Sequence, residues 1–158
     1  MILCKIHTVT FDELSQMGVV ILDVGENKIL PIWVGLFEAQ AILIKLQNTN
    51  FPRPLTHDLL KNFFDILNAK LEYIIINGIS NNTFYAQLHI LFNKKKYIVD
   101  CRPSDAIAIA VRTNSNIYIE EKVVEIAAVN KDEFNREQKE KLYSAFLKSI
   151  PDELLKKQ

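Results

Sequence analysis

Apolar residues arrive in short blocks over the first third of the chain, broken by polar pairs at strand spacing. Residues 2–11 form the first block, closed by Asp12 and Glu13. Residues 19–24 and 29–34 form two more, and Gly25-Glu26-Asn27-Lys28 between them predicts a hairpin. Pro31 has no N–H to give to a ladder, so its strand is expected at a sheet edge or with a bulge. Asp23 interrupts an apolar strand and reads as a mark of a sheet edge. Residues 36–47 then predict a helix opening after Gly35. Leu36, Phe37, Ala39, Ala41, Ile42, Leu43, Ile44 and Leu46 leave it almost no polar face. Such a helix is expected to be shared between the core and contact with another subunit.

Pro52 and Pro54 hold the next loop extended, and Thr56 is placed to cap a second helix. Leu59, Leu60, Phe63, Phe64 and Leu67 make one apolar face of that helix, with Lys61, Asn62, Asp65 and Asn68 opposite. Strands follow at residues 72–79, 83–92 and 97–101. The middle one sets Phe84, Ala86, Leu88, Ile90 and Phe92 on one side, and Tyr85, Gln87 and His89 on the other. Asn93-Lys94-Lys95-Lys96 reads as a solvated hairpin tip. Pro103 suits the first turn of a third helix reaching Thr113. The alternation of alanine and aliphatics within it also fits a strand, but the alanines and the leading Pro-Ser-Asp favour a buried helix. A short strand is expected at 117–120. Beyond it, Asn130 and Glu133 resemble a capping box. Leu142, Tyr143, Phe146, Leu147 and Ile150 stripe a long charged helix that Pro151 ends. The pattern predicts an α+β domain over residues 1–129, with a mostly antiparallel mixed sheet packed against helices. A C-terminal helical appendage, 130–158, docks on that body or on a partner.

Composition narrows the function. The 158 residues are one domain's worth and enough for a core. Lys and Arg total 19, as do Asp and Glu, so the net charge is zero. A protein that grips nucleic acid through phosphates usually carries a basic excess, so any such contact here is expected to be local, brief or metal-assisted. Cys4 and Cys101 are too few for a disulfide framework. No apolar run reaches the roughly 20 residues of a membrane span, and the start lacks a signal-peptide core, so a soluble cytoplasmic protein is expected. Four glycines leave no glycine-rich phosphate loop. Neither a Gly-x-Ser-x-Gly elbow nor zinc-type His/Cys spacing occurs.

Two charged motifs remain, Arg53-Pro54-Leu55-Thr56-His57-Asp58 and Asp100-Cys101-Arg102-Pro103-Ser104-Asp105. Glu38, Asp58 and Asp105 each fall near a helix start, where a carboxylate complements the macrodipole by about 0.3–1 kcal/mol. Taken together they suggest more. Asp100 and Asp105 are spaced to emerge at one end of the sheet, and with Glu38 they are candidate ligands for Mg²⁺ or Mn²⁺, which prefer oxygen. Arg53 and Arg102 suit bidentate binding of a phosphate. His57 suits a general base, with Asp58, Asp100 and Asp105 as further catalytic candidates. The same residues can instead pair with one another and pin the fold.

The two motifs, with Leu30-Pro31-Ile32-Trp33-Val34-Gly35 and the following Glu38-Ala39, and with Thr83-Phe84-Tyr85-Ala86, resemble the bifunctional nuclease (BFN) domain family over residues 1–129. The resemblance implies a compact α+β fold with a mostly antiparallel sheet, hydrolysis of both RNA and DNA, and self-association. Transient nucleic-acid substrates and a homodimer or larger homo-oligomer are therefore expected. The alternative is a non-catalytic oligomeric binding or regulatory module whose polar cluster is structural.

Overall fold

The computed structural model describes residues 1–149. Its strands are β1 (Ile2–Asp12), β2 (Met17–Gly25), β3 (Lys28–Val34), β4 (Lys70–Ser80), β5 (Thr83–Phe92), β6 (Lys95–Cys101), β7 (Asn116–Ile119) and β8 (Val129–Asn130). Helices α1 (Leu36–Leu46), α2 (Thr56–Ile66), α3 (Pro103–Thr113), α4 (Glu121–Ala127) and α5 (Lys131–Ser149) fill the connections and the C-terminal side. All eight strands form one sheet in the order β6-β5-β4-β7-β1-β2-β3-β8. Every pairing is antiparallel except β4 with β7, which are joined through β5, β6 and α3. The expected α+β fold with a mixed, mostly antiparallel sheet is what forms.

Tight turns explain how so many strands pair in sequence order. Glu26-Asn27, Asn81-Asn82 and Asn93-Lys94 each place two successive residues at positive φ. That backbone twist matches the flanking strands. Asparagine tolerates the left-handed region better than most residues, so it does here what glycine does in glycine-richer chains. Asn48, Asn68 and Asn114 use the same conformation just after α1, α2 and α3. Asn93 and Lys94 make the whole turn, so Lys95 and Lys96 belong to β6 and not to the hairpin tip.

Pro31 sits opposite Ile21, while β8 reaches only Lys28 and Ile29 on the outer side of β3. The proline therefore faces an unpaired stretch of edge, as its missing donor requires. Asp23 lies on an interior strand, not an edge. It accepts the Gly25 N–H at 2.9 Å and the Lys131 ammonium at 3.2 Å, turning the β2–β3 hairpin and anchoring the start of α5.

The core lies between one face of the sheet and the α1–α3 layer. Leu22, Leu30, Ile32, Ile74, Ile76 and Ile119 from strands meet Ile42 and Ile107 from helices. Each such side chain contributes about 1.5–3 kcal/mol when fully buried. Pro103 opens α3 as expected, and Ala106 through Ala110 are buried. Alanines let the helix lie close to β4 and β5. Gly18 does the same for α1, because a Cβ there would come within 2.2 Å of the Ala39 Cβ.

Two helices leave apolar side chains uncovered. In α1 only Ala39 and Ile42 are buried, while Leu36, Phe37 and Leu46 are exposed. In α2 the apolar stripe turns outward: Leu59, Leu60, Phe63, Ile66 and Leu67 are exposed, and Phe64 alone packs on the core. Thr56 is not its cap. Leu55 occupies that position, and the Asp58 carboxylate accepts the Leu55 N–H at 2.9 Å. α4 was not anticipated, since seven residues give too little periodicity to read. Asn130 does cap α5, accepting the N–H groups of Asp132 and Glu133. β8 straddles the expected 129/130 boundary, and Phe134 packs on Val19, Ile21 and Ile29. Further along, Leu142, Tyr143 and Leu147 are exposed. The side chain of Phe146, Ile150 and the Pro151 stop lie outside the described residues.

Candidate functional site

β6 delivers Arg102 to the start of α3, where it takes the position before Pro103. Asp105 follows in the first turn, and its carboxylate receives a two-point contact from Arg102, Nε to Oδ2 at 2.8 Å and Nη2 to Oδ1 at 3.2 Å. Arg102 Nη1 donates to Glu38 Oε1 at 3.0 Å, tying the starts of α1 and α3. Glu38 folds back over Gly35, where a Cβ would lie 2.0 Å from Oε2. Glycine at 35 thus leaves room for the carboxylate that meets Arg102.

His57 enters from the first turn of α2. Its Nε2 lies 3.0 Å from Asp105 Oδ1. Burial pushes the Asp105 carboxyl upward, but hydrogen bonds and charge from Arg102 and His57 outweigh it and hold the group below the ordinary aspartate value. An ionised carboxylate only accepts. The proton of a neutral His57 therefore sits on Nε2, leaving Nδ1 as the basic nitrogen. His57 is mostly covered, with 12% of its side chain exposed, whereas Arg102 is 64% exposed. Three of the five Arg102 N–H groups are used within the protein, and the other two remain for an outside acceptor.

The remaining expected residues lie elsewhere. Asp58 turns away toward Arg112, with Nε to Oδ1 at 2.7 Å. Arg112 is 3% exposed and completes its bonding on the carbonyls of Ala108 and Ala41, at 2.9 and 3.0 Å. This latch joins α1, α2 and α3 from within. Burial raises the Asp58 carboxyl, and bonds from Leu55 and Arg112 reverse the effect and lower it. Arg112 was missed. The available signal was a lone cation in an apolar helix, seven residues after Asp105 and so on nearly the same face. Arg53 is exposed on the loop before α2 and carries no ion pair among the described residues. Asp100 is opposite Gln87, next to Cys101, whose thiol bonds the carbonyl of core residue Ala86. Strand alternation thus sends Asp100 to the sheet face away from the helices. It does not meet Asp105, because an odd step along a strand reverses the side.

The donors do not fit Mg²⁺ or Mn²⁺. Arg102 lies between Glu38 and Asp105 and neutralises both, and Asp100 faces the other way. Among the described residues no group of three or more His, Cys, Asp or Glu is placed to hold a metal. Two grooves, one of about 550 Å³ between the end of α2 and Asn114–Asn116 and one of about 460 Å³ beside Gln87, His89 and Glu121, are lined by none of the cluster residues.

A family model described as the bifunctional nuclease domain matches residues 19–132, a span that holds every member of the cluster. The chain belongs to the bifunctional nuclease domain family. An uncharacterized protein of Mycobacterium tuberculosis is 39% identical over 110 residues, covering 70% of this chain and 65% of its own length. Bifunctional nuclease 1 of Oryza sativa subsp. japonica is 26% identical over 102 residues, 63% of this chain and 31% of the rice protein. The protein named bifunctional nuclease from Oryza minuta matches to the same extent. This family member therefore spans just under two thirds of its mycobacterial relative and under a third of the plant proteins. No helix among its described residues is long and apolar enough to cross a membrane.

Proposed function

We propose that this protein is a nuclease that hydrolyses phosphodiester bonds of RNA and DNA with little sequence preference, using His57, Asp105 and Arg102. The observation that carries this reading is the His57–Asp105–Arg102 chain, built at the meeting of both family motifs and left open at its arginine end. Asp105 orients the imidazole, and Nδ1 of His57 takes a proton from water. The water oxygen attacks phosphorus, the ester P–O bond breaks, and the departing oxygen regains a proton from the imidazolium. Water must be the nucleophile, because DNA lacks the 2′-hydroxyl. Arg102, through its two unused N–H groups, and Arg53 hold the phosphate and offset charge on its oxygens. Contacts confined to sugar-phosphate carry no sequence information. No step here runs through a metal ion.

Digestion of single-stranded RNA and DNA by purified wild type, His57→Ala and Asp105→Asn, each with and without chelator, tests this. Activity that survives in both variants at the wild-type rate would sink it. A second reading, a non-catalytic oligomeric module, is favoured by the internal pairing of Glu38, Asp58 and Asp105 and by the exposed apolar faces of α1 and α2. It predicts no hydrolysis by wild type and a concentration-dependent melting temperature.

A further inference from the structure

The nuclease reading leaves two features unused, the open edge of β6 and the lysine-rich hairpin leading into it. Among the described residues β6 ends the sheet and is paired on one side only, to β5. Its register runs unbroken from Ala86↔Cys101 to Phe92↔Lys95, so no bulge turns the edge away. It contains no proline, and Tyr97, Ile98 and Val99 are exposed. Such an edge is a template for another strand.

We propose that β6 pairs antiparallel with β6 of a second copy, on a two-fold axis through Ile98, so that each copy's lysine hairpin lies beside the other's Arg102. An axis perpendicular to the sheet keeps the two faces aligned, so opposed residues must share odd or even number. Centred on Ile98, the register sets Lys96 opposite Asp100, Tyr97 opposite Val99, and Ile98 opposite itself. Centred on Tyr97, it would oppose Lys96 to Ile98. Centred on Val99, it would oppose Lys96 to Arg102. Of the three, only the Ile98 register sets the strand cation Lys96 opposite a carboxylate, and cross-strand opposite charges stabilise pairing. The Asp100 side chain carries no hydrogen bond or ion pair among the described residues. Lys96 has only a 3.6 Å contact to Glu72 and is itself 77% exposed, a pair too weak to resist exchange.

Extended past the strand ends, the same register brings Lys94 of one copy toward Arg102 of the other, a like-charge approach that an anion bound between them would relieve. Within one copy Arg102 is balanced by Glu38 and Asp105, and the whole chain has no net charge. The second copy's hairpin supplies the local cations a polyphosphate requires. This half of the proposal rests on the nuclease reading, whereas the interface does not.

Antiparallel partners have Cα atoms about 4.5–5.5 Å apart, within disulfide range. Ile98→Cys should therefore yield a disulfide-linked dimer under mild oxidation, while Leu59→Cys on α2 should not. By analytical ultracentrifugation wild type should be a dimer, Asp100→Lys should weaken it at least tenfold, and Lys96→Asp added to Asp100→Lys should restore it. A monomer at every concentration, cross-linking through Leu59→Cys alone, or no rescue by the double exchange overturns the interface. Fluorescence anisotropy with a single-stranded oligonucleotide tests the shared site. Lys94→Glu with Lys95→Glu should weaken binding at least tenfold while the Ile98→Cys cross-link persists. A dimer with unchanged oligonucleotide affinity overturns that half.

Discussion

Arg102 and Arg112 stand at opposite ends of α3, each facing an aspartate from 2.7 to 3.2 Å, yet they belong to different kinds of site. Arg112 is enclosed, and all three of its nitrogens bond inward, to Asp58 and two backbone carbonyls. With its side chain 3% exposed it is shut off from a ligand, so its work is to hold three helices together. Arg102 is mostly exposed, binds two carboxylates, and keeps N–H groups for solvent or substrate. The aspartates divide in the same way. Asp58 joins a helix cap to the buried arginine, while Asp105 joins the exposed arginine to a histidine. Residue type and donor count do not separate the two ion pairs; enclosure does.

The sharpest way to break the contrast is Arg112→Ala. It leaves two carbonyls short of a partner and the part-exposed Asp58 carboxylate without its cation, and a loss of about 1–3 kcal/mol is expected in urea unfolding. Next is His57→Ala, expected to reduce nuclease activity about 100-fold or more while lowering the melting temperature by only a few degrees. A large stability loss with unchanged activity would move His57 to the structural side. Acid titration comes third. The Asp58 and Asp105 carboxyls are both held below the ordinary value of 3.8, so their stabilisation is fully present above that value. It is lost as pH falls through their lowered folded-state values. Asp58→Asn should flatten the fall of melting temperature below about pH 4, and an unchanged acid limb would refute its share. The smallest effect is expected for Arg102→Ala, about 0–1 kcal/mol in stability as for exposed ion pairs, but with weaker oligonucleotide binding and a shallower salt dependence.

Strand patterning was readable wherever one face is buried. β5 has the limits its alternation predicts, Thr83 to Phe92, since Ala86 and Leu88 face the core while Tyr85 faces solvent. The helical reading of α3 was also right, because Pro103 and the alanines suit a helix packed closely on a sheet. Other features gave weaker signals. Thr56 looked like a cap, but Asp58 bonds the N–H one residue earlier and moves the helix start to Leu55. α2 has a clear apolar stripe, and amphipathicity by itself does not say whether this chain or another covers it. At the candidate site, Glu38, His57, Arg102 and Asp105 do meet. Asp58 was legible as polar but not as Arg112's partner, because that contact spans 54 positions of chain. Asp100 was misplaced for a local reason, the change of side at every residue of a strand.

The sequence by itself determined the strand and helix order apart from α4 and β8, the family, and which polar residues needed an explanation. Periodicity and turn chemistry are local properties and survive in one dimension. The tertiary structure alone decided which charges meet, which arginine is enclosed, and which way each apolar face points. Those outcomes depend on distances between residues far apart in the chain, and on whether water reaches them.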